Sequence, residues 1–412
     1  MNFVNIKKIV VIKLRHIGDV LLAAPVFRAL KETFPDAHIS ALVNSGTEDA
    51  LRGNPIIDEI ISFDRDIKNL PALKRYFSEI DFLRHLRTKG FNMAVDLTGG
   101  DRAAVISIAS GAKYRLGWKS KKGFIGKKYA YTHLSEPDGN KHTVLQNMEV
   151  ISRFGIDTKD LSIDFHIPEE DRVFIGNILK GRNIKDGDTV VHVHPTSRWL
   201  FKCWEDEYTA EIITWLLGHG IKVIVTSSPD KKEMEKAKRI MSLVGEGGDS
   251  PDSTVSPVNP GQSPDGLVDL CGKTTIKQLG AVSGVSDLFF GVDSAPMHIA
   301  AAVGIPVIAI FGPSGAFNWG PWDNSMRGDC PRFTDGAKRS RRIGTVPVGQ
   351  TEETPYQKRN GIQTFGIHTV IQRDWECIPC GKDGCKGSKI SRCLTDISPE
   401  EVKNIIVEKL KI

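Results

Sequence analysis

Charged and hydroxyl side chains follow short apolar runs at three places in the chain, and each place suits a different chemical step. Asp19 ends the stretch RHIGD, which follows the apolar run at residues 9–14. A carboxylate near the carboxyl end of a first parallel strand can act as a general base, because the crevice of such a sheet opens there. The same carboxylate can instead cap the following helix, where the helix dipole favours a negative charge. The residues alone leave both roles of Asp19 open.

A second group of polar residues follows the apolar run at residues 189–194. Ser197, Arg198 and Lys202 lie in the segment PTSRWLFKCW, just before a predicted helix at residues 205–217. A hydroxyl, a guanidinium and an ammonium group at the carboxyl end of a strand can bind the oxygens of a pyrophosphate. We therefore expect an anion site in the second half of the chain.

The third group lies in the stretch DLFFGVDSAPMHIAAAVGIPVIAIFGP at residues 287–313, whose pattern predicts a strand, a helix and a second buried strand. A helix N-terminus presents unpaired backbone N–H groups and a partial positive charge, so it suits an anionic ligand. The candidate binding residues are Asp293, Ser294, Ala295 and His298. The alternative is a plain βαβ unit in which Ser294 caps the helix and His298 is a packing residue.

Four cysteines lie close together near the C-terminus. Cys377, Cys380, Cys385 and Cys393 have the spacing C-x2-C-x4-C-x7-C. Four thiolates in a tetrahedron could bind a structural zinc ion and staple a segment that has no core of its own. Free thiols or disulfides would fit the same spacing.

The elements that must position these groups alternate between strand and helix along most of the chain. This alternation predicts the α/β class with doubly wound parallel sheets. We expect one Rossmann-like domain at residues 1–175, a second at residues 186–395, and a cleft between them. A last amphipathic helix at residues 398–412 is expected to pack back on the first domain. Polar, glycine-rich residues 245–266 and 327–369 predict surface excursions.

Composition excludes several classes of protein. The 412 residues include 55 basic and 50 acidic ones, and the resulting charge of +5 is too small to indicate a nucleic-acid partner. No apolar run approaches the roughly 20 residues that span a bilayer. Neither a G-x-G-x-x-G nor a G-x-x-x-x-G-K-[ST] motif follows a predicted strand. We expect a cytoplasmic protein without a transmembrane segment.

Residues 113–131 form a basic segment, KYRLGWKSKKGFIGKKYAY, with seven basic residues and no acidic ones. Trp118 and Phe124 stand between the charges. A basic surface with interleaved aromatic rings suits a phosphorylated glycan or anionic lipid headgroups. The alternative is an ordinary solvated loop.

Three motifs together carry a resemblance to a known family. They are KLRHIGDVLLAAP, HVHPTSRWLFKCW and FGVDSAPMHIAAAVGIPVIAIFGP, and they span most of both halves. With them the chain resembles glycosyltransferase family 9, the ADP-heptose:lipopolysaccharide heptosyltransferases, and within it the heptosyltransferase III branch. The resemblance implies a GT-B architecture, in which two Rossmann-like domains face each other and the second holds most of the donor nucleotide.

The resemblance also implies roles for single residues. Asp19 matches the proposed catalytic base, which would deprotonate the acceptor hydroxyl. Ser197 and Lys202 match positions that contact the donor phosphates, with Arg198 as a neighbour. The donor-binding motif at the start of the later helix corresponds to Asp293, Ser294, Ala295 and His298. Ala295 departs from the glycine of many relatives, and its Cβ restricts close backbone approach.

The expected reaction is the inverting transfer of L-glycero-D-manno-heptose from ADP-heptose to inner-core lipopolysaccharide, with no metal and no cofactor. The expected partners are the nucleotide-sugar donor and a phosphorylated lipopolysaccharide core at the surface of the inner membrane, where the enzyme would be peripheral. Two alternatives share the architecture: a sugar-nucleotide epimerase, and a non-catalytic glycan-binding relative.

Overall fold

The computed structural model divides the chain into two compact units, Met1–His166 and Ile167–Ile412. The structure describes residues 3–119, 123–136, 138–245, 264–324 and 355–412. Each unit contains one sheet, with six strands in the first and seven in the second. The predicted α/β class, with a Rossmann-like sheet in each half, is confirmed. In these ranges no helix is both long and apolar enough to cross a membrane.

The first unit is built on a parallel sheet with the strand order β3-β2-β1-β4-β5-β6. Its strands and helices, in chain order, are β1 (Lys8–Lys13), α1 (Ile17–Leu21), α2 (Ala24–Thr33), β2 (His38–Asn44), β3 (Glu59–Phe63), α3 (Ala72–Thr88), β4 (Met93–Asp96), α4 (Asp101–Ala109), β5 (Tyr114–Trp118), β6 (His133–Ser135) and α5 (Thr143–Ser152). Ile12 pairs with Leu42 on one side and Asp96 on the other. The carboxyl ends of β1, β2 and β4 therefore lie side by side.

The second unit has the strand order β12-β13-β11-β10-β7-β8-β9. Its strands and helices are α6 (Glu169–Gly181), β7 (Val190–His194), α7 (Asp206–Gly218), β8 (Lys222–Val225), α8 (Lys231–Leu243), β9 (Leu267–Asp269), α9 (Ile276–Gly284), β10 (Leu288–Val292), α10 (Ala295–Val303), β11 (Val307–Ile310), α11 (Ala316–Trp319), β12 (Gln363–Phe365), β13 (His368–Ile371), α12 (Arg392–Thr395) and α13 (Pro399–Leu410). Phe289 and Phe290 of β10 belong to different apolar clusters, because successive side chains point to opposite faces. This sheet is therefore covered on both faces.

The expectation of a surface excursion over residues 327–369 is wrong for its last part. Strands β12 and β13 form an antiparallel pair there, and β13 also pairs with β11 in parallel. The two strands contain only three and four residues, too few to show a recognisable alternation of apolar and polar positions. Residues 325–354 lie outside the described ranges, as do residues 246–263, which make up most of the other predicted excursion.

The C-terminal helix α13 supplies side chains to the core of the second unit. Val402 and Ile406 are fully buried in the cluster that also contains Ile212 of α7. Ser398 and Glu401 form a capping box at its start, so the helix begins at a sharply defined residue. The expected packing of this helix on the first domain stays a prediction.

Candidate active site

Lys202 and Asp293 form an ion pair at the carboxyl edge of the second sheet. The lysine Nζ lies 2.6 Å from the Oδ2 atom of Asp293, and both side chains are mostly buried. Lys202 ends a 3-10 turn that follows β7, and Asp293 follows β10 directly. Because β7 and β10 are neighbouring parallel strands, their carboxyl ends bring these two residues together. The structure thus joins the second and third groups of candidate residues.

A glycine allows these two strands to approach at this edge. Gly291 of β10 pairs with His194 of β7. A Cβ atom on Gly291 would lie 2.5 Å from the carbonyl oxygen of His194, which is too close for any side chain. Glycine within a strand commonly marks such a close backbone approach. A side chain at Gly291 would therefore push β7 and β10 apart at the edge where Lys202 and Asp293 meet.

Trp199 adds a second contact to the lysine. The Nζ atom of Lys202 lies 5.3 Å from the centre of the Trp199 ring, within the range of a cation–π interaction. Ser197 is buried at the start of this segment, and its carbonyl oxygen accepts a hydrogen bond from the thiol of Cys203 at 3.9 Å. Arg198 is exposed. The ammonium group is thus oriented by an aromatic face and a carboxylate.

Helix α10 begins next to this pair. Ser294 occupies the N-cap position, but its hydroxyl donates to the carbonyl oxygen of Val292 at 3.2 Å and makes no hydrogen bond to the helix. The alternative in which the Ser294 side chain caps the helix is therefore not what the structure contains. Ala295 is the first helical residue, and His298 is buried on the following turn. The start of α10 faces the same edge of the sheet as Lys202.

Two buried histidines lie in β7 behind the ion pair. His192 and His194 both contact the hydroxyl of Thr226, at 2.7 and 2.8 Å, and His192 also contacts the hydroxyl of Ser283 at 3.0 Å. Burial lowers the pKa of His194 to about 3, and burial also lowers that of His192, so both rings are neutral near pH 7. Sequence reasoning treated them only as strand residues. Their alternation, His-Val-His, places both on one face of β7.

The segment that contains and follows the last cysteines supports the turn that carries Lys202. Ser391 donates its hydroxyl to the carbonyl oxygen of Phe201 at 2.6 Å. The indole N–H of Trp204 donates to the carbonyl oxygen of Ile397 at 3.1 Å. Sequence reasoning missed these contacts, because no local pattern links residues so far apart in the chain.

The four cysteines differ in exposure. Cys377 and Cys380 are exposed, Cys385 is half-buried and Cys393 is buried. Burial, and after it the neighbouring Cys385, Cys380 and Cys377, raise the pKa of the Cys393 thiol to about 11. Within the ranges that the structure describes, no group of three or more His, Cys, Asp or Glu side chains is arranged to hold a metal ion.

In the first unit, Asp19 is the third residue of the short helix α1. The N-cap position is occupied by His16, so Asp19 lies within the first turn and is half-buried. Its carboxylate stands next to the buried Lys13, whose Nζ donates to the carbonyl oxygen of Leu97 and to Oδ1 of Asn147, each at 2.9 Å. Burial lowers the pKa of Lys13 to about 8, and the charge of Asp19 opposes that shift.

Asp96 anchors the same edge of the first sheet. It is fully buried at the end of β4, and its carboxylate accepts from the hydroxyl of Tyr131 at 2.5 Å and from the backbone N–H of Thr98 at 2.7 Å. Burial raises the pKa of Asp96 and also that of the Tyr131 hydroxyl. This network fixes the loop after β4, where the hydroxyl of Thr98 also accepts from the backbone N–H of Leu14 at 2.8 Å, at the end of β1.

A cavity of about 320 Å³ opens at this edge. Its charged lining side chains are Arg15, Arg65, Asp101 and Arg102, and His16 lines it as well. Asp101 is paired with Lys127, the two groups lying 3.1 Å apart, so the guanidinium groups give the cavity a positive character. Guanidinium groups bind phosphates and carboxylates in a bidentate geometry. Sequence reasoning did not single out these arginines.

Comparison with known proteins assigns the family. A family model described as glycosyltransferase family 9 (heptosyltransferase) matches residues 80–342, which is more than half of the chain. The chain belongs to glycosyltransferase family 9. This confirms the resemblance that the three sequence motifs indicated.

Similar sequences and structures agree with this family. The chain is 29% identical over 315 residues to lipopolysaccharide heptosyltransferase 3 of Escherichia coli, covering 76% of this chain and 86% of the relative. It is 24% identical over 320 residues to lipopolysaccharide core heptosyltransferase OpsX of Haemophilus influenzae, covering 77% and 82%.

Solved structures of the family share the fold. The family 9 glycosyltransferase of Veillonella parvula has a TM-score of 0.70 at 19% identity, covering 98% of this chain and 97% of that one. ADP-heptose lipopolysaccharide heptosyltransferase II of Escherichia coli has a TM-score of 0.68 at 17% identity, covering 98% of both. The predicted GT-B fold class is confirmed for this heptosyltransferase family member, and the roles of its single residues stay predictions.

Proposed function

We propose that this heptosyltransferase transfers L-glycero-D-manno-heptose from ADP-heptose to a hydroxyl of the lipopolysaccharide inner core, with inversion and without a catalytic metal. The observation that carries the proposal is the pairing of Lys202 with Asp293 at 2.6 Å, beside the start of α10. Relatives named as lipopolysaccharide heptosyltransferases support the choice of donor and acceptor. Such an acceptor would place the enzyme at the cytoplasmic face of the inner membrane.

On the donor side, Lys202 would bind the diphosphate of ADP-heptose. As the bond between the sugar and ADP breaks, negative charge grows on the diphosphate, and a cation fixed in advance stabilises that charge. Asp293 and Trp199 orient the ammonium group before the donor arrives. Ser197, the exposed Arg198 and the first turn of α10, with Ser294, Ala295 and His298, would complete the site.

On the acceptor side, Asp19 would take the proton from the attacking hydroxyl. Arg15, Arg65 and Arg102 line the neighbouring cavity and would bind acidic groups of the acceptor. A phosphorylated core oligosaccharide supplies such groups.

The test is transfer from ADP-heptose to a panel of truncated core lipopolysaccharides in the presence of EDTA, with wild type beside Asp19→Asn. We expect a mass gain of one heptose on one acceptor, which the variant loses. Isomerised nucleotide sugar without transfer would instead identify an epimerase. Equal transfer by the two proteins would remove Asp19 from the role of base. Loss of transfer with EDTA that magnesium or manganese restores, but zinc does not, would contradict the metal-free mechanism.

We also propose that Cys377, Cys380, Cys385 and Cys393 bind zinc in a structural role. Their spacing supports this, and Cys385, Cys380 and Cys377 lie near enough to Cys393 to affect the pKa of its thiol. Zinc binding would draw the thiols to a common point. We expect about one zinc per chain, by elemental mass spectrometry of protein purified with reducing agent and without metal chelators. Metal-free protein with four reactive thiols, or with disulfides, would refute it.

A further inference from the structure

The start of α3 and the residues just before it are exposed to solvent on all sides. Every residue from 68 to 77 is exposed. Among them Leu73 is 70% exposed, Tyr76 61% and Phe77 60%, and the two aromatic rings contact each other edge to face. A helix normally turns such side chains towards its own core. Neither the cluster around Val10 and Ile12 nor the cluster around Ala130 and Tyr131 includes these side chains.

A second apolar group lies around the 3-10 helix Lys127–Ala130. Ile125 is fully exposed, and Phe124 and Tyr129 are also exposed. The Nζ atom of Lys128 lies 5.0 Å from the centre of the Tyr129 ring. Exposed aliphatic and aromatic side chains are thus placed next to a lysine here too.

Helix α4 connects the two groups. Its residue Arg102 lies 3.9 Å from Glu79 of α3, and its residue Asp101 lies 3.1 Å from Lys127. Arg102 and Asp101 also line the cavity described above, and so does Arg65, in the turn that leads into α3. Both apolar groups therefore lie next to elements that line the candidate acceptor cavity.

The charges between the apolar side chains all have one sign. Residues 68–77 contain Lys68, Lys74 and Arg75 and no acidic residue. Residues 123–130 also contain no acidic residue, and their exposed charge is Lys128, because Lys127 is buried and paired with Asp101. Aromatic side chains settle at the headgroup level of a bilayer, and basic side chains are attracted to anionic lipids. A protein partner would need a complementary acidic, apolar surface, whereas an anionic bilayer offers both properties together.

We propose that residues 68–77 and 123–130 form a docking surface for an anionic lipid bilayer, which holds the cavity of the first unit against the headgroups. This inference rests on the proposed function in one respect, because that function supplies a glycolipid acceptor and hence a reason for docking. The vesicle measurement below does not depend on that function.

The test is co-sedimentation of the full-length protein with vesicles of phosphatidylethanolamine and phosphatidylglycerol, and with vesicles of phosphatidylcholine alone. We expect binding to the anionic vesicles, and a loss of at least about tenfold in partitioning for the triple variant Leu73→Ser, Tyr76→Ser, Phe77→Ser. The matched control is Val173→Ser, Phe174→Ser on α6, where two exposed apolar side chains lie in the second unit. This control should bind like wild type.

Two results would overturn the docking surface. One is unchanged vesicle binding by the triple variant, with its circular dichroism and melting temperature like those of wild type. The other is a concentration-dependent dimer in sedimentation velocity that the triple variant loses, since the face would then bind a second copy. Transfer to a delipidated core oligosaccharide should be unchanged in the triple variant. Failure of wild type in that soluble assay would count against the proposed function alone.

Discussion

Lys202 illustrates how a single charge can be prepared for a reaction before the substrate binds. Its Nζ atom is held by Asp293 and by the face of Trp199, so little reorganisation is needed when a diphosphate replaces water beside it. A surface lysine without such contacts would lose side-chain entropy on binding. The donor side of the proposed reaction depends on this orientation.

Replacing Lys202 with alanine should lower kcat for heptose transfer by about 100- to 1,000-fold, the effect of removing one fixed donor to a developing negative charge. Lys202→Arg should retain part of the activity. The matched control is Lys273→Ala, because Lys273 forms an exposed ion pair with Asp269 at 3.4 Å in the same unit. Steady-state kinetics that showed equal losses for Lys202→Ala and the control would contradict this role.

Lys13 should make the free energy of unfolding vary with pH in the alkaline range. Its pKa in the folded chain is about 8, below the value of 10.5 in an unfolded chain. Between these two values the unfolded chain binds more protons, so the free energy of unfolding should rise as the pH increases from 8 to 10.5. The contribution is at most about 3 kcal/mol.

The measurement is urea unfolding of wild type and Lys13→Met across this pH range. Other lysines titrate in both proteins and cancel in the difference. Wild type should gain stability relative to the variant as the pH rises. A difference that stays constant with pH would show that the Lys13 ammonium group is not held away from water.

Residue types and their positions after strands were enough to predict part of the site. Lys202 and Asp293 were predicted as candidates because charged groups at the carboxyl ends of parallel strands share an edge. Arg15, Arg65 and Arg102 were not singled out, because they come from three separate segments of the chain and only the folded sheet brings them to one cavity. Their convergence depends on strand order, which a local pattern does not contain.

At the scale of elements, the 3-10 turn Leu200–Lys202 is supported by a segment from near the other end of the chain. Ser391 donates to the carbonyl oxygen of Phe201, one residue before Lys202. A turn of three residues has few hydrogen bonds of its own, so one outside donor restricts it considerably. The cysteine-containing segment is thereby connected to the donor side of the site.

Removing the Ser391 hydroxyl should weaken donor binding. Ser391→Ala loses one hydrogen bond, worth about 0.5–1.5 kcal/mol, which corresponds to a rise in KM for ADP-heptose of about two- to tenfold. Ser388→Ala is the matched control, because that hydroxyl also donates to a backbone carbonyl but within its own exposed loop. Equal KM values for the two variants would indicate that the turn is held by other contacts.

The elements themselves were largely predictable from the sequence. The strands β1, β7, β10 and β11 were predicted because each is a run of apolar residues buried on both faces of a parallel sheet. Strands β12 and β13 were missed because they are short and the first is mostly polar. Their place in the sheet comes from pairing with β11, a contact between distant parts of the chain.

At the scale of the whole molecule, each unit has its own apolar core, and that of the second includes the C-terminal helix. Ile406→Ala should lower the free energy of unfolding of that unit by about 2–5 kcal/mol, since the side chain is fully buried. Ile405→Ala is the matched control, because Ile405 is adjacent in the sequence but only partly buried. The measurement is urea unfolding of this unit, monitored by the loss of ADP binding. Similar midpoints for the two variants would contradict the placement of Ile406.

The position of α13 in that core also sets the order in which a ribosome can complete the protein. All six strands of the first sheet have been translated by residue 135, so the first unit can fold while synthesis continues. The second sheet is complete only when β13 ends at residue 371, and its helical cover only when α13 ends at residue 410. Strand β7 is translated much earlier, and until then it belongs to a sheet that lacks some of its strands. The nascent second unit is therefore the part of the chain that would need a chaperone during translation.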